Sequence, residues 1–205
     1  MYSAFPTILT TIALNILNKV GVDQSFVFAP IPILLSLADH PDAASNHIFN
    51  GILSLNTTLF FEQANITETQ YVLELFIAEE PLRFVAFLPT NESYLSESLH
   101  KLDTTRFHEL LGKLDYMFVD FKIPYFELKT RINLSALLEI SSTAYHEYEL
   151  KFPRQLFLDD IYVTPFARRP CETERYDFEV NRPFLFSVLN GTTLLVMGLF
   201  TGKNK

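Results

Sequence analysis

The chain has 205 residues, of which 48% are hydrophobic, with 20 phenylalanines and no tryptophan, so it is long enough and apolar enough to bury a real core. Its 16 lysines and arginines stand against 24 aspartates and glutamates, which gives a formal net charge of −8. That balance excludes roles that need a broad basic face, such as nucleic-acid or heparin binding.

The first part of the chain is predicted to form two helices around a short strand. Residues 8–20 place apolar side chains at helical spacing, and Gly21 follows them as a stop signal. Residues 26–28 form an apolar run typical of a short buried strand. Pro30 suits the first turn of a helix, because its missing N–H costs nothing there, and the helical pattern continues to Ala38.

The middle of the chain is predicted to alternate between short helices and strands. A hairpin is indicated where two apolar runs, 71–77 and 82–88, meet across an acidic turn that contains Pro81. The other expected elements are a short helix over 43–53, a strand over 57–61, two short helices within 95–111 that end at Gly112, a strand over 116–126 and a helix over 128–140.

The strongest local signal lies near the end of the chain, where apolar runs 183–189 and 193–200 flank Asn190 and Gly191. These two residues are predicted at the centre of a type I′ turn, which needs positive φ at both central positions. The runs are almost continuously apolar rather than alternating, so both faces of this hairpin are expected to be covered.

Several motifs, taken together and in order, resemble the serpin family. Residues 26–33 read FVFAPIPI and resemble the family's F-x-F-S-P-x-S-I, and residues 71–89 resemble its paired strands Y-x-L-P-Y-x-G-x-x-L-S-F-x-x-L-L-P. Near the end, NRPFLF and MGLF resemble D-H-P-F-L-F and F-M-G. The residues that carry this last signature, the signature hairpin, are Pro183, Phe184, Phe186, Asn190, Gly191 and Gly198.

The resemblance implies an α+β, serpin-like fold in a single domain over residues 1–205, with helices packed on mixed and antiparallel sheets. It covers residues 10–38, 70–140, 156–166 and 178–200. Only roughly 30 residues separate the second helix from the matched strand pair, which is too few for the helices and strands that the family places there. The fold is therefore expected to be shortened, with central helices and sheet strands missing.

By resemblance the function is inhibition of a serine-type endopeptidase, in which a cleaved loop inserts into a sheet as an extra strand. Residues 156–166 resemble the strand before the loop's hinge, where the family continues with E-x-N-E-x-G-T-x-A and small residues. This chain instead has a short, charged segment over 165–177, and its reactive-loop-equivalent residues are Arg168, Arg169 and Pro170. Burying such charges unpaired would cost several kcal/mol each, roughly.

The gate through which the family's loop enters is also altered. Its two helix serines correspond to Ala29 and Pro32, and its strand histidine to Val163, so the side chains at these positions donate no hydrogen bond. The histidine of the signature hairpin is replaced by Arg182. The sequence therefore predicts a non-inhibitory serpin-like protein that still has a protease or another protein as its expected partner.

Two alternatives stay open: an interaction or decoy module that uses exposed sheet edges, with self-association through them, or a degenerate remnant without independent activity. An enzyme is not predicted, because the chain has no nucleophile, metal or phosphate-binding motif. No cofactor and no metal is expected, since the histidines lack ligand spacing. They are His40, His47, His100, His108 and His146.

The sequence favours the cytoplasm, without deciding the compartment. No basic residue precedes the apolar run at the start, so a cleaved signal is not predicted, and no stretch approaches the roughly 18 apolar residues of a membrane span. The single Cys171 excludes an internal disulfide framework and is interpreted as an ordinary free thiol. Asn-x-Ser/Thr triplets leave an extracellular location open; they begin at Asn56, Asn65, Asn91, Asn133 and Asn190.

Overall fold

The computed structural model describes residues 4–38, 53–55, 61–66, 72–77, 82–89, 95–116, 118–133, 135, 145–152 and 175–202. The helix predicted within 43–53 and the strand predicted within 57–61 lie outside these residues except at their last positions, and the strand predicted over 156–166 lies outside them entirely.

Four helices and twelve strands make up the described part of the chain. In order they are α1 Ala4–Val20, β1 Phe26–Phe28, α2 Pro30–Ala38, β2 Leu53–Leu55, β3 Phe61–Ile66, β4 Val72–Ile77, β5 Leu82–Phe87, α3 Leu95–Lys101, α4 Thr104–Leu111, β6 Asp115–Tyr116, β7 Phe118–Lys122, β8 Glu127–Asn133, β9 Tyr145–Lys151, β10 Arg175–Glu179, β11 Phe184–Asn190 and β12 Thr193–Phe200.

The strands form three sheets. The largest has seven strands in the order β1-β12-β11-β5-β4-β3-β6, and every neighbouring pair in it is antiparallel. A second sheet has the order β2-β9-β8, in which β2 is parallel to β9 and β9 is antiparallel to β8. In the third, β10 runs parallel to β7. Helices packed on mixed and antiparallel sheets confirm the expected α+β class.

The β11–β12 hairpin lies near the middle of the large sheet, between β1 and β5. Every residue of β11 except Asn190 is buried, as the continuous apolar run predicted. The predicted turn is displaced by one residue. Asn190 pairs with Thr193 as the last residue of β11, so Gly191 and Thr192 are the two central residues, and Gly191 has φ +59°.

The predicted helices α1 to α4 are confirmed, and their ends follow local chemistry. Gly21, with φ +79°, ends α1 and donates its N–H to the carbonyl of Leu17 at 2.9 Å. Asp103 caps α4 by accepting the N–H of Arg106 at 2.7 Å. The predicted strand over 116–126 is also present, as β6 and β7 followed by an irregular stretch.

The helix predicted to start at residue 128 is wrong, because residues 127–133 form β8. Leu128 and Ile132 are four residues apart and buried, which fits a helical face as well as one face of a strand. What decides the outcome is pairing: β8 lies antiparallel to β9, whose exposed and buried residues alternate. The strand β9 was not predicted.

An aromatic cluster joins the small β2-β9-β8 sheet to the large one. Phe126, just before β8, and Phe152, just after β9, stack on each other with ring centroids 5.0 Å apart. Phe152 also packs on Phe84 of β5 at 4.9 Å, and Phe126 packs on Phe186 of β11 at 5.3 Å. Part of the core therefore lies between these two sheets, and buried residues of the helices complete it.

Candidate functional site

The structure describes some of the predicted site residues and not others. The six residues of the signature hairpin lie on or beside β11 and β12, with Phe184 and Phe186 fully buried. Ala29 and Pro32 lie at the start of α2. Val163, Arg168, Arg169 and Pro170 lie outside the described residues. The described residues therefore include the α2 side of the predicted gate.

The start of α2 is joined to β9 by a buried hydrogen bond. The Tyr148 hydroxyl donates to the backbone carbonyl of Ala29 at 3.2 Å, and only 3% of each residue is exposed. Burial raises the pKa of the Tyr148 hydroxyl well above its ordinary value, with the Ala29 carbonyl as its hydrogen-bond partner. Tyr148 is therefore a neutral donor at physiological pH, and it holds the backbone at the start of α2 to β9.

A second contact holds the strand before α2 to the small sheet. The backbone N–H of Val27 on β1 donates to the Thr130 hydroxyl on β8 at 3.0 Å. Because β1 pairs only with β12 among the described strands of the large sheet, this side-chain acceptor satisfies a donor on the other edge of β1. Together with the Tyr148–Ala29 bond it forms the α2 junction, which fixes α2 and β1 against β8 and β9.

His146 lies in the same strand as Tyr148 and is fully buried. Its ring stacks against Tyr148 with centroids 6.1 Å apart, and burial lowers its pKa, so the neutral imidazole is favoured. Neither His146 nor Tyr148 was predicted as a site residue. The alternating pattern of residues 145–151, with apolar or aromatic residues at 148 and 150, was the available signal.

The end of β9 is anchored in the core. Phe152 is 1% exposed, stacks on Phe126, and donates its N–H to the Phe126 carbonyl at 2.8 Å. The chain therefore leaves the small sheet from a fixed point.

Part of the charged segment 165–177 belongs to a strand. Arg175 to Asp177 lie in β10, paired in parallel with Phe118 to Asp120 of β7, and residues 165–174 lie outside the described part. The strand continues into the signature hairpin by way of Arg182. Its Nε donates to the carbonyl of Pro89 at 2.7 Å, so this arginine joins β11 to the end of β5.

The described residues give no sign of metal chemistry or a membrane span. No three histidine, cysteine or acidic side chains among them come together as a metal site would require. Within the same residues, no helix is long and apolar enough to cross a membrane.

Comparison by sequence finds no match, either to a protein-family model or to a curated protein. Comparison by structure finds serpins. Maspin aligns with a TM-score of 0.56 at 17% identity, covering 67% of this chain and 45% of that chain. SRPN18 from Anopheles gambiae aligns at 0.54 with 15% identity, covering 71% and 46%. Serpin48, a highly specific serpin of the insect Tenebrio molitor, aligns at 0.51 with 15% identity, covering 71% and 45%.

The chain thus spans less than half the length of the serpins that it matches. At these identities the likeness shows the fold and not the activity. The chain has a serpin-like fold, built from fewer residues than the serpins it resembles.

Proposed function

We propose that this chain is a divergent serpin-family protein that does not inhibit proteases by loop insertion. Family membership is supported by the serpin-like fold together with the ordered motifs, above all the signature hairpin at the middle of the large sheet. The absence of inhibition is supported by one observation in particular, the short, charged segment over 165–177 where the family has small residues.

Loop insertion makes specific demands on the chain that follows a sheet strand. The chain must turn back, lie beside the strand, and present N–H groups and small side chains to the sheet. Here the strand before the hinge is predicted over 156–166, and the residues that follow it include Arg168, Arg169 and Pro170. Proline has no N–H to donate and arginine carries a charge, so the residues that follow this predicted strand are unsuited to insertion into a sheet.

The C-terminal end of the segment 165–177 is paired in a sheet. Arg175 pairs in β10 with β7, in a different sheet from β9. Arg168, Arg169 and Pro170 stay the predicted reactive-loop-equivalent positions. The Arg169–Pro170 bond is a poor substrate because of the proline, whereas Arg168–Arg169 could be cut by a trypsin-like protease.

Incubation with trypsin and chymotrypsin tests the proposal. We expect cleavage fragments and no SDS-resistant species with the combined mass of protease and protein. The double variant Arg168→Ala/Arg169→Ala is the matched control: tryptic cleavage at this pair should disappear, while the adduct stays absent in both proteins. An adduct in the wild type that the double variant loses would show that the segment acts as a reactive loop and would overturn the proposal.

A second candidate function is an interaction module, and the β7–β10 pair favours it. Among the described residues no third strand joins this parallel pair, although two strands alone are marginally stable in water. Strand addition from a second copy or an extended peptide would pair the edges that have no neighbouring strand among the described residues. Sedimentation velocity at rising protein concentration should then show self-association, whereas a monomer throughout would count against association between copies.

A further inference from the structure

The tip of the β11–β12 hairpin carries a modification motif that the turn itself does not require. Residues 190–192 read Asn-Gly-Thr, an acceptor triplet for N-linked glycosylation, whose middle residue is not proline. The sequence predicts Asn190 as a central turn residue, but the structure places it in β11, paired with Thr193 and with Leu82 of β5. The positive φ of the turn falls on Gly191 instead. Turn geometry therefore does not account for the asparagine.

Both polar residues of the triplet are open to solvent. Asn190 is exposed, whereas the six residues before it in β11 are buried, and Thr192 is exposed as well. Within the described part of the chain, neither the Asn190 amide nor the Thr192 hydroxyl has a hydrogen-bond partner. No atom lies within 4 Å of the position that a Cβ on Gly191 would occupy. The triplet thus combines an accessible amide nitrogen, an accessible hydroxyl and free space beside them.

The shape of the tip is held by contacts that do not use the Asn190 side chain. Arg83 Nη2 donates to the backbone carbonyl of Gly191. Arg83 Nη1 donates to Glu74 Oε1 on β4 at 2.5 Å, and only 3% of the Glu74 side chain is exposed, so this arginine is itself fixed. A sugar on Asn190 Nδ2 can therefore extend into solvent while the turn keeps its backbone contacts.

The other acceptor triplets that the structure describes lack this combination. Asn133 is only partly exposed, and its Oδ1 accepts the N–H of Ser135 at 3.0 Å and the Ser135 hydroxyl at 2.7 Å, so the two polar residues of that triplet are bonded to each other. Asn65 lies within β3 and is paired on both sides, with β4 and with β6. The remaining two triplets begin outside the described residues. Of the described triplets, the one at Asn190 is the best placed for modification.

We propose that Asn190 accepts an N-linked glycan and that this chain therefore passes through the secretory pathway. The donor is a lipid-linked oligosaccharide pyrophosphate, and an oligosaccharyltransferase of the host cell recognises the Thr192 hydroxyl. A bond forms between Asn190 Nδ2 and C1 of the first sugar, and the bond from C1 to the pyrophosphate oxygen breaks. The lipid pyrophosphate leaves, and the proton lost from Nδ2 passes to a base of the transferase. The inference is independent of the reactive-loop segment and of inhibition.

Translation of the full chain behind an added signal sequence, in the presence of endoplasmic-reticulum microsomes, tests the acceptor. We expect peptide-N-glycosidase F to increase the gel mobility of the product, and Asn190→Gln to migrate with one glycan fewer than the wild type. Thr192→Ala should lose the same glycan, whereas Thr192→Ser should keep it, since serine also completes the triplet. Thr193→Ala is the matched control, because this threonine lies just outside the triplet.

Thermal unfolding of protein secreted from mammalian cells tests whether the folded hairpin accommodates the sugar. The glycosylated wild type and Asn190→Gln should melt at the same temperature, since the Asn190 side chain has no hydrogen-bond partner to lose among the described residues. Three results would each overturn the proposal: equal glycan numbers in the wild type and Asn190→Gln, loss of the glycan in Thr193→Ala as in Thr192→Ala, or a glycosylated protein that melts clearly below Asn190→Gln.

Discussion

Gly198 lies where a side chain of any size would meet its neighbours in the large sheet. It pairs with Phe186 on β11 and with Val27 on β1. A Cβ at this position would come within 2.4 Å of Phe186 Cζ and 2.6 Å of the Phe26 carbonyl oxygen. The backbone carbonyl belongs to a paired strand and cannot rotate away, so the glycine is needed for close packing and not for an unusual φ.

Replacing this residue should therefore be costly. Gly198→Ala is expected to lower the free energy of unfolding by about 3 kcal/mol, the upper part of the usual range for overpacking. Urea denaturation monitored by circular dichroism measures the change. Gly112→Ala is the matched control, because φ there is −74° and the nearest atom to a new Cβ is 3.4 Å away. A cost at Gly198 no larger than at Gly112 would contradict the packing argument.

Substitution of Ser187 is expected to change the free energy of unfolding in the opposite direction. Its hydroxyl is fully buried in β11 and has no hydrogen-bond partner among the described residues. Ser187→Ala should raise the free energy of unfolding by about 1 kcal/mol, because an unsatisfied polar group is removed. Ser25→Ala, in which the lost hydroxyl accepts the Thr201 N–H at 3.1 Å, should lower it by about the same amount. The same denaturation series distinguishes the two, and a loss of stability at both positions would refute the prediction for Ser187.

At the scale of elements, β8 and β9 are joined on their exposed face by three ion pairs between directly opposite residues. Glu127 lies 3.3 Å from Lys151, Lys129 3.3 Å from Glu149, and Arg131 3.4 Å from Glu147. Opposite charges at facing positions favour this register over a shifted one, in which like charges would meet. These three ion pairs form a charge ladder across the two strands. The ladder therefore specifies the strand pairing that supports the α2 junction.

Charge reversal at one position of the ladder tests this role. Lys129→Glu should lower the melting temperature by roughly 1–3 °C, and adding Glu149→Lys should restore most of it. The loss should shrink in 1 M salt, because these groups are exposed and the salt screens them. If the double variant were as unstable as the sum of its two single variants, the ladder would not act through charge pairing.

The dependence of folding stability on pH in the acid range gives an independent check of the ladder. A hydrogen bond from Lys151 is the largest cause that lowers the pKa of Glu149; a hydrogen bond from Lys129 and the charges of both lysines add to it, while burial opposes it. A carboxyl group with a lowered pKa stabilises the folded state fully above the ordinary glutamate value, about 4.3, and loses that contribution as pH falls through the folded value.

The elements that the sequence revealed are those whose signals are local. The continuous apolar runs of β11 and β12 and the glycine after α1 decide their structure within a few residues. The structure of residues 128–132 is not decided locally, because Leu128 and Ile132 fit both the helical and the strand period. Pairing with β9 selects the strand. The α2 junction could not be predicted from the sequence for a related reason: Tyr148 and Ala29 lie 119 positions apart, and only the folded chain brings them together.

At the scale of the whole molecule, Phe126 is where the two main sheets meet. Its ring lies 5.0 Å from that of Phe152, beside β9, and 5.3 and 5.0 Å from those of Phe186 and Phe200, on β11 and β12. It is fully buried. If the fold behaves as one cooperative unit in spite of its small size, this ring is part of what couples the small sheet to the large one.

Phe126→Ala tests that coupling and the remnant hypothesis together. We expect it to lower the free energy of unfolding by about 3–5 kcal/mol, a large fraction of the 5–15 kcal/mol that folded domains have. Native-state hydrogen exchange should show protection falling by the same amount in β8 and β9 as in β11 and β12, since a cooperative unit opens as a whole. Phe5→Ala, at a ring that is 45% exposed, should change protection little in either sheet. Loss confined to β8 and β9 would mean that the two sheets unfold separately, and weak protection throughout the wild type would favour a remnant without a stable fold of its own.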